Sequence, residues 1–122
     1  MTIVWDMMEA LISAGYATGI GEDIFYHYFQ PEPAAQLMVM QKRGLNPIIT
    51  TDDVTPMPGL QVYVIDSDLE AAETKAEAIY NYFKLSKGVV GQAIYASGVP
   101  VFLGPIGDGR YKFVVDFQVF GN

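Results

Sequence analysis

Three acidic residues have the spacing of a metal-binding loop. Asp66, Asp68 and Glu70 form D-x-D-x-E, which is how a calcium-binding loop begins. Such a loop requires glycine at its sixth position, and Ala71 stands there instead. Capping of a following helix also accounts for two of these carboxylates. We therefore expect a helix start at this point and no bound metal.

Three glycines upstream are arranged like part of a phosphate-binding loop. Gly15, Gly19 and Gly21 are followed by Glu22 and Asp23 and then by strand-forming residues. A dinucleotide-binding fingerprint needs the reverse order, in which a strand precedes the glycines and a helix follows them. The two carboxylates would also repel a phosphate. The segment is therefore predicted to be an ordinary loop.

The remaining reactive side chains form no catalytic set. His27 is the only histidine, the chain has no cysteine, and a zinc site usually needs three or four such ligands. No serine stands in a nucleophile-elbow motif. Asp52 and Asp53 have the types of an acid–base pair, but adjacent carboxylates in a proline-rich loop are usually solvated or ion-paired. We predict no catalytic residue, no metal and no cofactor, and hence that the protein is not an enzyme.

The composition indicates an acidic domain that meets a partner. The 122 residues include 14 Asp and Glu against 7 Lys and Arg, a net charge of -7, which disfavours attraction to nucleic acid, lipid headgroups or acidic substrates. Charged residues make up 17%, below the roughly 25% usual for soluble domains, so some surface is expected to be apolar. The start of the chain does not resemble a signal peptide. The uncharged stretch 88–107 contains glycines and prolines that disfavour a membrane helix.

Two helices are predicted from periodicity and caps. The first covers 3–14 and ends at Gly15. The second begins with a capping box of Ser67 and Glu70 and ends at Gly88. Its apolar stripe consists of Leu69, Ala72, Ala76, Ile79 and Phe83.

Alternation and turn signals predict the strands. The first two are expected to be antiparallel to each other, and the last carries a core-facing set of Tyr111, Phe113, Val115, Phe117 and Val119. The order α-β-β-β-α-β-β predicts one α+β domain, 1–122, with a largely antiparallel sheet and two main helices packed on one face. The five strands of this order are 23–30, 36–42, 60–65, 92–97 and 110–120, and 101–103 is a candidate for a further short strand.

Interface residues are expected in three places. The 44–59 loop is long and rich in proline, and such loops are usually functional. The tyrosines, including Tyr63 on a strand and Tyr82 on the second helix, exceed what one small core needs and suit either the core or an interface. The turn between 98 and 110 is the third place. The candidates are Pro47, Asp52, Asp53, Pro56, Pro58, Tyr26, Tyr28, Pro100, Asp108 and Arg110.

Several of these segments together resemble the tail terminator, or minor capsid, proteins of long-tailed bacteriophages. The similarity depends on the order and spacing of loose motifs over most of the chain. They are the N-terminal helix ending at Gly15, Ile24-Phe25 followed by Gln30-Pro31-Glu32-Pro33, the L-Q-V-x-V strand at 60–64, Ala72, Ala76, Ile79 and Tyr80 on a helix, Gly98, Pro100, Leu103, Gly104, Gly109 and Arg110, and Asp116-Phe117 where the family tends to have Asn-Phe.

The resemblance implies a structural role and an α+β fold. Such proteins form a hexameric ring on the tail tube protein, stop tube growth and offer a docking face to the head completion or connector protein. This implies location in the virion neck, and in the host cytoplasm during assembly, with no membrane contact. DNA passes through the lumen without specific binding, and we expect carboxylates to line it rather than Lys42, Arg43, Lys84 or Lys87. The alternatives are another neck protein or a small oligomeric α+β ligand-binding protein.

Overall fold

Two helices lie against one face of a mostly antiparallel sheet. The computed structural model describes residues 3–42, 48–49, 54–55, 59–86 and 93–120. The elements in chain order are α1 (Ile3–Ser13), β1 (Ile24–Tyr26), β2 (Gln36–Lys42), β3 (Ile48–Ile49), β4 (Val54–Thr55), β5 (Gly59–Asp66), α2 (Leu69–Phe83), β6 (Leu85–Ser86), β7 (Ala93–Ala96), β8 (Val101–Pro105) and β9 (Tyr111–Phe120). The predicted α+β class is confirmed.

The sheet has the order β1-β2-β5-β9-β7-β6, and β8 pairs with β9 beside β7. The pairs β2–β5, β5–β9, β7–β9, β8–β9 and β6–β7 are antiparallel. β3 and β4 form a separate two-stranded sheet within the predicted 44–59 loop. β1 and β8 therefore lie toward opposite edges of the main sheet.

The expected antiparallel pairing of the first two strands is wrong, because β1 and β2 are parallel. The first strand is also shorter than the predicted 23–30, and it ends at Tyr26. His27 has a φ of 69°, a left-handed conformation that does not continue a strand. Residues 27–35 then return the chain to the end of the sheet where β1 began, so that β2 runs alongside it.

The core forms where one face of the sheet meets both helices. The predicted stripe of α2 is confirmed except for Leu69, the first residue of the helix, which is exposed. The predicted core side of β9 is confirmed except for Tyr111, which is half-buried at the start of the strand. The core residues of these elements are Val4, Met7, Met8 and Leu11 of α1, Ala72, Ala76, Ile79 and Phe83 of α2, and Phe113, Val115, Phe117 and Val119 of β9.

Both ends of α2 differ from the prediction. Asp68, not Ser67, is the N-cap, and its carboxylate accepts hydrogen bonds from the backbone N–H groups of Glu70 and Ala71 at 3.0 and 3.4 Å. The helix ends at Phe83 rather than at Gly88. Pairing of β6 with β7 explains the early end, because the residues after Lys84 join the sheet.

The α-helices within the described ranges are too short or too polar to cross a membrane.

Candidate functional site

Apolar side chains on and before β8 form an exposed surface, which we call the β8 patch (Val99, Val101, Phe102 and Leu103). Their exposed fractions are 66%, 49%, 48% and 46%. β9 is the one strand that pairs with β8 among the residues described, so the outer edge of β8 carries no described strand. Edge strands with exposed apolar side chains are unusual on a monomer, because they promote association.

The length of regular β8 edge is short. Its register against β9 shifts between Phe102 and Gly104, which marks a bulge, and Gly104 has a φ of +96°. Glycine is favoured at such a φ because it has no Cβ. Pro105 follows and has no backbone N–H to donate. Bulges and prolines limit uncontrolled strand pairing, so the regular edge is confined to Val101 and Phe102.

A second exposed surface begins at the opposite edge of the sheet, and we call it the β1 patch (Tyr26, Tyr28 and Phe29). Its Phe29 ring lies away from that edge, against Arg110 and Lys112. All three side chains are exposed, Tyr28 most of all at 57%. The Tyr28 ring lies 6.3 Å from that of Phe25, centroid to centroid. Since His27 turns the chain, Tyr26 is the last residue of β1, and Tyr28 lies in residues 27–35, which we call the return segment.

Arg110 links the return segment to the turn between β8 and β9. Its side chain is 3% exposed and forms a salt bridge with Asp108, whose carboxylate accepts from Nε at 2.9 Å. Its Nη1 donates to the carbonyl of Pro33 at 3.5 Å, and its guanidinium lies 5.4 Å from the centroid of the Phe29 ring. The hydrogen bonds from Arg110 lower the pKa of Asp108. Arg110 therefore holds 27–35 in place from inside the protein.

Polar side chains on the helix-free face of the sheet bind each other. Gln61 Nε2 donates to Asp116 Oδ1 at 2.9 Å, and the Tyr63 hydroxyl donates to Gln61 Oε1 at 3.1 Å. The Lys112 ammonium lies 5.3 Å from the Tyr63 ring centroid. Burial, with the charge of Asp116, raises the pKa of Tyr63. These hydrogen bonds satisfy the polar groups of the partly buried Gln61, Tyr63 and Asp116 side chains.

Two open cavities carry no recognisable chemistry. The larger, of about 530 Å³, lies beside Pro31–Ala34, Ser67, Asp108 and Arg110, where the arginine donors are already engaged. The other, of about 460 Å³, is lined by Tyr16 and the first turns of α2, and partial burial raises the pKa of Tyr16. Within the described residues, no three His, Cys, Asp or Glu side chains are grouped as metal ligands.

The structure places the predicted interface residues at both edges. Tyr26, Tyr28 and Asp108 are exposed, Pro100 is half-buried and Arg110 is buried. It brings Asp108 and Arg110 together, and Arg110 also lies against Phe29, the residue that follows Tyr28. The candidates of the 44–59 loop lie outside the described residues; they are Pro47, Asp52, Asp53, Pro56 and Pro58.

Sequence reasoning expected an interface between 98 and 110 but named neither Phe29 nor the apolar residues of the β8 patch. The signal for those residues was the absence of charge in the stretch 88–107, which we used to argue against a membrane helix. β8 is an edge strand, so its apolar residues are exposed to solvent, whereas the same residues in a central strand would face a core.

The comparisons with known proteins concern the fold. No family model matches the sequence, and no curated protein matches it. A solved structure that carries no functional name is similar to the chain, with 14% sequence identity and a TM-score of 0.51. The match covers 97% of this chain and 96% of the other. At this identity the similarity indicates a shared fold and nothing about activity.

Proposed function

We propose that the chain is a structural protein of a phage virion neck. In this proposal it forms a ring on the tail tube protein, stops tube growth and provides the surface for joining head and tail. The observation that supports it is the presence of two different exposed, uncharged patches at opposite edges of one sheet, the β1 and β8 patches. The resemblance of the sequence motifs to tail terminator proteins is the reason for proposing this particular kind of ring.

Two different patches suit a ring because ring contacts are heterologous. Each subunit of a cyclic assembly with more than two members offers one surface to one neighbour and a different surface to the other. A twofold dimer would need only one self-complementary patch. Because the patches lie toward opposite edges of the sheet, each subunit could contact one neighbour at each edge, with the rest of the domain between the two contacts.

The charge distribution is compatible with passage of DNA through such a ring. The net charge is -7, and Glu70, Glu73 and Glu77 are exposed along α2. A lumen lined by carboxylates would repel the phosphate backbone, so DNA would slide without adhering. We therefore propose that DNA passes through the lumen of the ring without being bound by it.

Native mass spectrometry of the purified chain over a range of concentrations tests this proposal. We expect a closed species of six subunits, and electron microscopy should show rings with an open centre. Mass spectrometry of tailed particles from the strain that encodes the chain should then detect it as a virion component. A stable monomer or dimer that binds a small metabolite, and that is absent from such particles, would contradict the proposal and favour the ligand-binding alternative.

A further inference from the structure

We propose that the β8 patch of one subunit packs against the β1 patch of a second copy, and that this contact is the one repeated around the ring. The inference rests on the proposed ring and adds which surfaces meet. The proposed contact is heterologous. Side chains of β8 and of the turn before it pack against Tyr26, at the end of β1, and against Tyr28, just after it.

The side chains of the two patches project on matching sides of their sheets. Phe102 is the register partner of the core residue Phe113, and their rings lie 5.1 Å apart, so Phe102 projects on the helix-bearing side. Tyr26 is the register partner of Val39, another core residue, and projects on that side too. Two sheets placed edge to edge in the same orientation would bring Phe102 of one copy toward Tyr26 of the next.

The second pair matches on the other side. Val101 is the register partner of Val114, whose neighbours Phe113 and Val115 belong to the core, so Val101 projects on the helix-free side. Tyr28 lies against Phe25, which alternates with Ile24 and therefore also projects on the helix-free side. Each patch thus offers an apolar or aromatic side chain on both sides of its sheet edge.

The two patches are the surfaces at which a second copy meets the least repulsion. Two chains of net charge -7 repel each other, and this repulsion is weakest where neither surface carries a carboxylate. Segments 26–29 and 99–103 contain no Asp, Glu, Lys or Arg, and the charged groups that lie over the Phe29 ring are the cations of Arg110 and Lys112. A basic partner would be attracted to the acidic surfaces instead. Aromatic rings at an interface bury large areas at low entropic cost, and aliphatic side chains on an edge strand fit against them.

Disulfide trapping tests this pairing directly, because the chain has no cysteine of its own. The double variant Val101→Cys with Tyr28→Cys is oxidised gently and run on a denaturing gel without reductant. A heterologous contact should give a ladder of covalent multimers that ends at the closed ring. Each single variant should remain monomeric on the gel, because its cysteine has no counterpart in the neighbour. Leu69→Cys with Tyr28→Cys is the matched control, since Leu69 is 44% exposed and lies outside both patches.

The outcomes separate this inference from the proposed function. A ladder from the Val101–Tyr28 variant alone supports the pairing, and a second ladder from Phe102→Cys with Tyr26→Cys supports the matching of sides. Dimers from Val101→Cys alone would indicate a twofold β8 contact and overturn the pairing. Rings that form without cross-linking at either pair overturn the inference and leave the ring in place. A chain that is monomeric at every concentration overturns the ring and the pairing together.

Discussion

At the scale of single residues, Asp23 holds the loop that leads into β1. Its carboxylate accepts hydrogen bonds from the Thr18 hydroxyl at 2.7 Å and from the backbone N–H groups of Thr18 and Gly19 at 2.9 and 3.2 Å. Burial alone would raise the pKa of Asp23, but these hydrogen bonds outweigh it and lower the pKa. The ionised carboxylate therefore stabilises the fold above its unfolded pKa.

The pH dependence of stability should report this group. A lowered folded pKa means that the stabilisation is lost as pH falls through that pKa. We expect Asp23→Asn to lower the free energy of unfolding by about 1 kcal/mol at pH 7, and by much less at pH 2. Urea unfolding at the two pH values measures the difference. Glu22→Gln is the control, and an equal loss at both pH values in Asp23→Asn would refute the assignment.

Arg110 shows how a residue can matter to an interface without lying on it. The sequence placed it among the interface candidates, and the structure buries its side chain between Asp108 and the Pro33 carbonyl. It also lies against Phe29, a member of the β1 patch. Arg110 is therefore a positioning residue, because it fixes the backbone that presents the exposed rings.

At the scale of elements, the start of α2 depends on Asp68. Replacing an N-cap aspartate by alanine leaves backbone N–H groups of the first turn without their acceptor and typically costs about 1 kcal/mol. We expect this loss for Asp68→Ala and a much smaller one for Ser67→Ala, as measured by urea unfolding. The opposite ranking would restore the capping box that the sequence predicted.

Most elements were predictable from local pattern, and the errors have tertiary causes. β2 matches its prediction, and β5, β7, β8 and β9 begin and end within two residues of theirs. The end of α2 was missed because pairing of Leu85–Ser86 with β7 outweighs helix propensity. The direction of β2 was missed because it depends on the path of 27–35, which one left-handed residue redirects. The exposure of β8 depends on the order of the strands in the sheet, which the hydrophobic periodicity of the sequence does not reveal.

At the scale of the whole molecule, assembly should respond to salt. Subunits with a net charge of -7 repel one another, and the proposed contact has no ion pair to offset this repulsion. We expect the dissociation constant of the oligomer to fall several-fold between about 20 and 300 mM sodium chloride, because salt screens the repulsion. Sedimentation velocity at the two concentrations measures it. Weaker association in high salt would show that ion pairs dominate the contact.

The place of β9 in the sheet determines when the chain can fold during synthesis. β9 pairs with β5 on one side and with β7 and β8 on the other, so it joins strands that are otherwise unconnected within the sheet. Its partners must wait until residues 111–120 have left the ribosome, because contacts between distant segments form only when both are available. A nascent chain therefore cannot present β8 as the edge strand of a formed sheet to another chain until β9 has been synthesised.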